Sequence, residues 1–170
     1  MKILFNEQQI KDAINKIATE IWNKHYNDPN PPVMICVLNG AFMFFSDLVK
    51  EIKLDCEIDF MRVKSYVAKE SSHVSILKTV ELPIQGKDIY IIDDILDSGK
   101  TLLKIEKHLS TFHPKSTTLV SLFKKHTCQI ESISGIILHD EKWLCGYGLD
   151  ATNGLMRNRT VVFGEVEEIE

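Results

Sequence analysis

Ile89-Tyr90-Ile91-Ile92-Asp93-Asp94-Ile95-Leu96-Asp97-Ser98-Gly99-Lys100-Thr101 is the stretch whose reading decides the fold of this chain. Residues 89–92 carry no charge and read as a buried strand of the parallel kind. The adjacent acids Asp93 and Asp94 end that strand, and a third acid, Asp97, opens a Ser-Gly-Lys-Thr turn. A helical pattern follows, marked by Leu102, Leu103 and Ile105. Apolar strand, acid pair, small-residue loop and helix make a phosphate site at the carboxyl end of a strand. Loop N–H groups and a helix N-terminus hold an anion there. Three carboxylates so close to a phosphate would repel it, unless ribose hydroxyls or a divalent cation come between. A ligand with a phosphate, a ribose diol and Mg²⁺ meets all of these demands. Residues 98–101 also look like the tail of a Walker A loop, but Asp94 stands where that loop needs its first glycine.

The rest of the composition narrows the class. The chain has 170 residues and reads as a single domain, 1–170, long enough for a substantial core. Its net charge of -4, with acids and bases mixed throughout, argues against a partner held by a basic face, nucleic acid above all. No apolar run approaches the roughly 18–20 residues of a membrane span, so no membrane partner is expected. The apolar part of residues 1–7 is too short for a signal peptide and is expected to lead directly into a helix. The four cysteines, Cys36, Cys56, Cys128 and Cys145, show no Cys-x-x-Cys spacing and read as buried free thiols. That usage suits a reducing, cytoplasmic setting. The six histidines show no ligand spacing and read as surface or satisfied residues.

Along the chain, strands alternate with helices. Asn6, with Gln9 in capping-box position, starts a helix whose stripe is Ile10, Ile14, Ile17, Ile21 and Trp22. Residues 27–32 break it. Residues 33–38 read as a strand, Asn39-Gly40 as a turn, and 41–52 as a helix. A strand is expected over 56–63, a polar mobile loop over 64–73, and further strand over 74–82. After the strand at 89, a helix is expected over 101–112, ending before His113-Pro114. Strands are expected again at 117–123, 135–138, 143–147 and 160–163. This alternation implies βαβ units and a mainly parallel sheet flanked by helices. In such sheets ligands bind beyond the carboxyl ends of the strands, where Asn39-Gly40, 93–101 and Lys124-Lys125 should converge.

The Asp-Asp-Ile-Leu-Asp-Ser-Gly-Lys-Thr segment after its apolar strand resembles the 5-phosphoribosyl-1-pyrophosphate (PRPP) signature of the type I phosphoribosyltransferases. The resemblance implies that family's α/β fold, with a small hood built from the N- and C-terminal segments. It implies that Asp93 and Asp94 face the ribose diol and that Asp97, Ser98, Gly99, Lys100 and Thr101 wrap the 5-phosphate. Other segments are similar to the hypoxanthine-guanine branch, in the same order. Leu38-Asn39-Gly40 resembles a Leu-Lys-Gly loop that binds pyrophosphate through backbone groups, often with a cis peptide; Asn39 replaces the usual Lys and removes its charge. Ser65-Tyr66 resembles the pair in a flexible loop that closes over the site.

Val120 to Thr127 resembles the strand whose terminal Lys donates to the 6-oxygen of a purine. That role falls on Lys125, with Lys124 as its competitor. An ammonium donates to an oxo group but accepts nothing from an amino group, which favours a 6-oxopurine over adenine. Trp143, before Gly146-Tyr147-Gly148-Leu149-Asp150, matches an aromatic that stacks on the purine, and Leu144 offers its backbone to the base edge. Ile95 is expected beside the base. Asp150 matches an acid that binds Mg²⁺ with pyrophosphate, and Asp93 and Asp94 are further candidates for that ion. Arg157 is the expected pyrophosphate guanidinium, one residue later than the family commonly places it, with Arg159 in competition.

The resemblance implies transfer of phosphoribosyl from PRPP to N9 of hypoxanthine, guanine or xanthine, with release of pyrophosphate. Asp97 would be the general base at purine N7, or else a cap of the phosphate loop. A homodimer or homotetramer is implied as well. The alternative is a regulator that senses PRPP without catalysis. That alternative lacks a DNA-binding domain or basic face in a chain of this size and charge.

Overall fold

A computed structural model describes residues 1–68, 71–139, 142–151 and 153–164, with backbone only at 65–68 and 71–73. Its centre is a six-stranded sheet. The strands are β2 (Val33–Leu38), β3 (Glu57–Ala68), β4 (Ser71–Lys78), β5 (Asp88–Leu96), β6 (Ser116–Lys125) and β7 (Ile133–Leu138), and their order is β4-β3-β2-β5-β6-β7. All pairings are parallel except β3 with β4. Strand residues alternate between two cores, as a pleat requires. Met34, Cys36, Tyr90, Ile92, Val120 and Leu122 face helices α1 (Glu7–His25) and α2 (Phe42–Glu51). Val33, Ile35, Val37, Ile89, Ile91 and Leu119 face α3 (Lys100–Ser110). A sheet covered on both faces explains why its middle strands read as unbroken apolar runs.

A second, three-stranded sheet joins the chain ends: β1 (Lys2–Phe5), β9 (Val162–Gly164) and β8 (Leu144–Cys145), in the order β1-β9-β8. This is the expected hood. The N-terminus therefore forms a strand before its helix rather than leading straight into one. The expected strand at 143–147 is only Leu144–Cys145, because Gly146 and Leu149 bond to each other in a tight turn.

Three other expectations need correction. The acid pair does not end its strand, since β5 continues to Leu96. Its pairing with β2 stops at Cys36 opposite Ile92, while its pairing with β6 runs on to Leu96 opposite Lys124. One edge of β5 is thus released where the acids begin. The described part of the loop expected at 64–73 is strand, because Lys64 to Ala68 pair antiparallel with Ser71 to Ser75; residues 69–70 lie outside the described residues. The run's polar composition fits paired strands at a sheet edge, where Met61, Val63, Val74 and Ile76 are among the described side chains that reach the core. Trp22 leaves the helical stripe and is 40% exposed, stacked on Tyr26 with ring centroids 4.8 Å apart. Ile10, Ile14, Ile17 and Ile21 already fill the buried face, and Trp22 falls at its rim.

All four cysteines are free, and Cys36, Cys128 and Cys145 are buried. No helix among the described residues is long and apolar enough to cross a membrane.

Candidate active site

The parallel register brings the carboxyl ends of β2, β5 and β6 together, and with them the loops that the sequence marked. Asp93 and Asp94 stand at the released edge of β5, partly accessible yet crowded by protein. Burial, then the Asp94 charge, pushes the Asp93 carboxyl well above its ordinary range. Burial also raises Asp94, against the pull of backbone hydrogen bonds and the Arg157 charge. Below them the Cys36 thiol is pushed up to about 12, by burial first and then by both acids. Two adjacent carboxyls that resist ionisation together are a site prepared for hydroxyl donors or a cation.

The helices that begin at this edge lack side-chain caps. Gly99, at φ 75°, starts α3 with no side-chain bond to its first turn, and Ala41 starts α2 in the same way. Helix α1 begins elsewhere and has a complete capping box: Asn6 and Gln9 exchange side-chain bonds of 2.9 and 3.0 Å. The first N–H groups of a helix need acceptors; in α2 the Phe42 N–H finds one in the Asn39 carbonyl at 3.3 Å, whereas the start of α3 is placed to find its acceptors in an anion. Ser98 and Lys100 are exposed beside the α3 start, and Thr101 lies in its first turn.

The Leu38–Asn39 peptide bond is cis. The loop it begins is packed to the limit of what glycine permits. A Cβ on Gly40 would lie 1.6 Å from Asp94 Oδ2, and one on Gly148 would lie 2.1 Å from the Gly40 carbonyl oxygen. Arg157 closes this cluster: Nη1 donates to the Gly148 carbonyl at 2.6 Å and Nη2 pairs with Asp150 Oδ2 at 2.9 Å. Arg159 contributes through its backbone, its carbonyl accepting the Tyr147 N–H at 2.9 Å, and its side chain is exposed. The inserted residue therefore leaves Arg157 on the site side.

At the end of β6 the two lysines separate. Lys124 turns away and donates to the Ile130 carbonyl at 2.6 Å. Lys125 pairs with Asp97 Oδ1 at 2.9 Å. Trp143 is 52% exposed, so core packing does not account for it, and its Nε1 donates to the Asp150 carbonyl at 3.3 Å. Leu144 is buried in β8, and Ile95 is half-buried on β5. Ser65 and Tyr66 fall on the β3 backbone opposite Val74 and His73, and their side chains lie outside the described residues.

Asp93, Asp94 and Asp150 are the carboxylates at this edge that were expected to hold a cation. They do not form a compact cage: among the described residues, the one trio of ligand atoms within 4.8 Å of one another is His25, Asp28 and Asp88. That trio sits at the opposite, amino end of β5. Lys115 already bridges it, 2.8 Å from Asp88 and 3.8 Å from Asp28. His25 is buried there, with Nε2 2.7 Å from the Tyr90 hydroxyl and Nδ1 without a hydrogen-bond partner. It fits the expectation of a surface or satisfied histidine only at Nε2. Sequence reasoning also passed over Asp47 and the side chain of Tyr147. The positive-φ run Gly146-Tyr147-Gly148 was visible only as glycine spacing.

A strand-end acid pair, two uncapped helices and a glycine-packed anion loop are what a phosphoribosyl-binding protein requires. Residues 1–152 match the model of the phosphoribosyl transferase domain family, and the chain belongs to that family. It is 34% identical over 156 residues to a hypoxanthine phosphoribosyltransferase of Buchnera aphidicola, covering 88% of each chain. It is 35% identical over 155 residues to a hypoxanthine-guanine phosphoribosyltransferase of Aquifex aeolicus, covering 88% of this chain and 86% of that one. Among solved structures, a hypoxanthine phosphoribosyltransferase of Staphylococcus aureus superposes with a TM-score of 0.89 at 31% identity, over 99% of this chain and 92% of the other.

Proposed function

We propose that this chain is a purine-salvage enzyme that transfers phosphoribosyl from PRPP to N9 of a 6-oxopurine, releasing pyrophosphate. The observation that carries the reading is the acid pair on the edge of β5 that β2 releases, followed in the chain by the uncapped start of α3. The same family membership and relatives named hypoxanthine or hypoxanthine-guanine phosphoribosyltransferase support the base class.

In this reading the 5-phosphate caps α3 through the N–H groups after Gly99, with Ser98, Lys100 and Thr101 around it. The ribose diol donates to Asp93 and Asp94 and relieves their mutual repulsion. Pyrophosphate lies on the Asn39-Gly40 backbone and against Arg157, which supplies the positive charge that Asn39 does not. As the C1–O bond to pyrophosphate breaks, positive charge grows on the sugar, and the acid pair beneath it favours that charge. The purine stacks on Trp143, places its edge along the Leu144 backbone beside Ile95, and takes a hydrogen bond from Lys125 at its 6-oxygen. Asp97 then accepts the N7 proton.

Mg²⁺ suits this donor set. It favours one or two carboxylates completed by waters and substrate oxygens, and Asp150, with one of Asp93 and Asp94, would offer that many without a closed cage. When bound it neutralises the leaving pyrophosphate. The chain is expected to act as a homodimer or homotetramer in the cytoplasm.

The test is an absorbance assay with PRPP and Mg²⁺, offering hypoxanthine, guanine, xanthine and adenine separately. Turnover of a 6-oxopurine with none of adenine is expected. PRPP binding without turnover of any base would overturn the catalytic reading in favour of a sensor.

A further inference from the structure

The turn at Gly146, Tyr147 and Gly148 is the most constrained backbone at the site. Its three residues take φ values of 94, 50 and 94°. The glycines adopt this without cost, but Tyr147 needs outside support to stay there. Part of that support is backbone: the Tyr147 N–H donates to Arg159 at 2.9 Å and the Gly148 N–H to Arg157 at 2.8 Å. The rest comes through the ring, which is buried, with its hydroxyl donating to Asp47 Oδ2 at 2.6 Å. Packing alone does not fix that ring. A cavity of about 380 Å³ opens beside it, lined by Ile10, Ile14, Met43, Asp47 and Tyr147 among others. The hydrogen bond crosses from the hood to α2 at the edge of this gap.

Asp47 is well placed to serve as an anchor. It lies on α2, the helix that begins just after the Asn39-Gly40 loop. Its other oxygen accepts Lys50 Nζ at 2.7 Å. Burial opposes its charge, yet the bonds from Lys50 and Tyr147 together hold the carboxyl below its ordinary range. What the turn carries lies on its far side. The Gly148 carbonyl receives Arg157, Gly148 itself lies against Gly40, and Arg157 in turn grips Asp150. We infer that Asp47 is a positioning residue for the pyrophosphate grip: through the Tyr147 hydroxyl it sets the turn, and through the turn the relative places of Gly40, Asp150 and Arg157. This rests on the transferase reading above.

The test uses Tyr147→Phe, Asp47→Ala and Asp47→Asn in the full-length chain. Tyr147→Phe removes only the hydroxyl. It should raise KM for PRPP by about tenfold, the equivalent of about 1.4 kcal/mol, and weaken pyrophosphate in the reverse reaction to the same degree. KM for the purine should stay within about twofold. Asp47→Ala should behave likewise, and Asp47→Asn, which keeps an acceptor, should restore most of the loss. A purely structural role would lower the melting temperature and shift both substrates together. That pattern, or an unchanged KM for PRPP in Tyr147→Phe and Asp47→Ala, would overturn the inference. If the wild-type chain turns over no 6-oxopurine, the transferase reading fails instead. Calorimetric PRPP binding by the same variants then decides the positioning role separately.

Discussion

The ammonium of Lys125 stands 2.9 Å from the Asp97 carboxylate, joining the end of β6 to the turn that follows β5. The proposed purine donor and the proposed base are therefore paired before any base arrives. A 6-oxopurine would enter between them, taking the Lys125 hydrogen bond at its oxygen and offering its N7 proton to Asp97. Lys125→Ala should weaken hypoxanthine in kcat/KM by about 1.5–3 kcal/mol, the range for a hydrogen bond from a charged group. Lys124→Ala should leave kcat/KM nearly unchanged, since its ammonium is already spent on Ile130. A reversal of the two effects would show that the pairing seen here is not the one used in turnover.

Asp97→Asn keeps the size of the side chain and removes its basicity. A fall in kcat of about 10²–10⁴ is expected, with PRPP affinity little altered. Steady-state kinetics alongside PRPP titration would separate the two. Equal loss in both would assign Asp97 to the phosphate loop instead.

Trp143 has half its surface in water, so its removal costs the fold little. Trp143→Ala should leave the melting temperature almost unchanged and weaken purine binding by about 1–3 kcal/mol, the scale of one base stacked on an aromatic ring. A large drop in melting temperature would mean that the ring serves the hood rather than the base.

Asp93 offers a prediction with opposite signs for stability and function. Its carboxyl titrates well above the unfolded value because burial and the Asp94 charge disfavour ionisation. Any stability it contributes is thus complete below the unfolded pKa and is lost as pH rises through the folded one. At neutral pH the charged form works against the ligand-free fold. Asp93→Asn should raise the melting temperature of the free protein there by roughly 2–4 °C, about 1 kcal/mol for a chain of this size, while weakening PRPP binding. The gain should shrink as pH falls into the carboxylate range. A variant that melts lower at neutral pH would contradict the account of the acid pair.

Gly40→Ala would place a methyl group 1.6 Å from Asp94 Oδ2, so either the loop or the carboxylate must move. A stability loss of about 1–3 kcal/mol is expected, with PRPP affinity lost alongside it. Thermal melts with and without PRPP would read both.

Much of this site was legible because its chemistry is local. Asp93 to Thr101 is contiguous, and strand, acids, glycine and helix follow one another in the order in which they are used. Alignment favoured Lys125 over Lys124, but their different partners were not legible, because strand alternation permits either to face the site and the Ile130 carbonyl that holds Lys124 lies outside the motif. Arg157 and Arg159 differ for a similar reason, the path of the backbone across the hood. The strands at 64–68 and 71–73 were missed because a polar run at a sheet edge carries no apolar stripe to mark it. Asp47 and Tyr147 lie 100 residues apart, and nothing in either segment announces the bond between them.

The contrast between α1, which caps itself, and α2 and α3, which do not, has a consequence for how the protein persists. On the proposed reading, the helix starts that carry no side-chain cap are completed by molecules that come and go. Bound PRPP adds RT ln(1 + [L]/Kd) to stability, about 2.7 kcal/mol at a hundred times Kd. The first turns of α2 and α3 should then exchange their amide hydrogens more slowly than in the free chain. Where unfolding leads to degradation, the abundance of such a protein follows the supply of its own substrate, and starvation for PRPP would shorten its lifetime before any signal intervened.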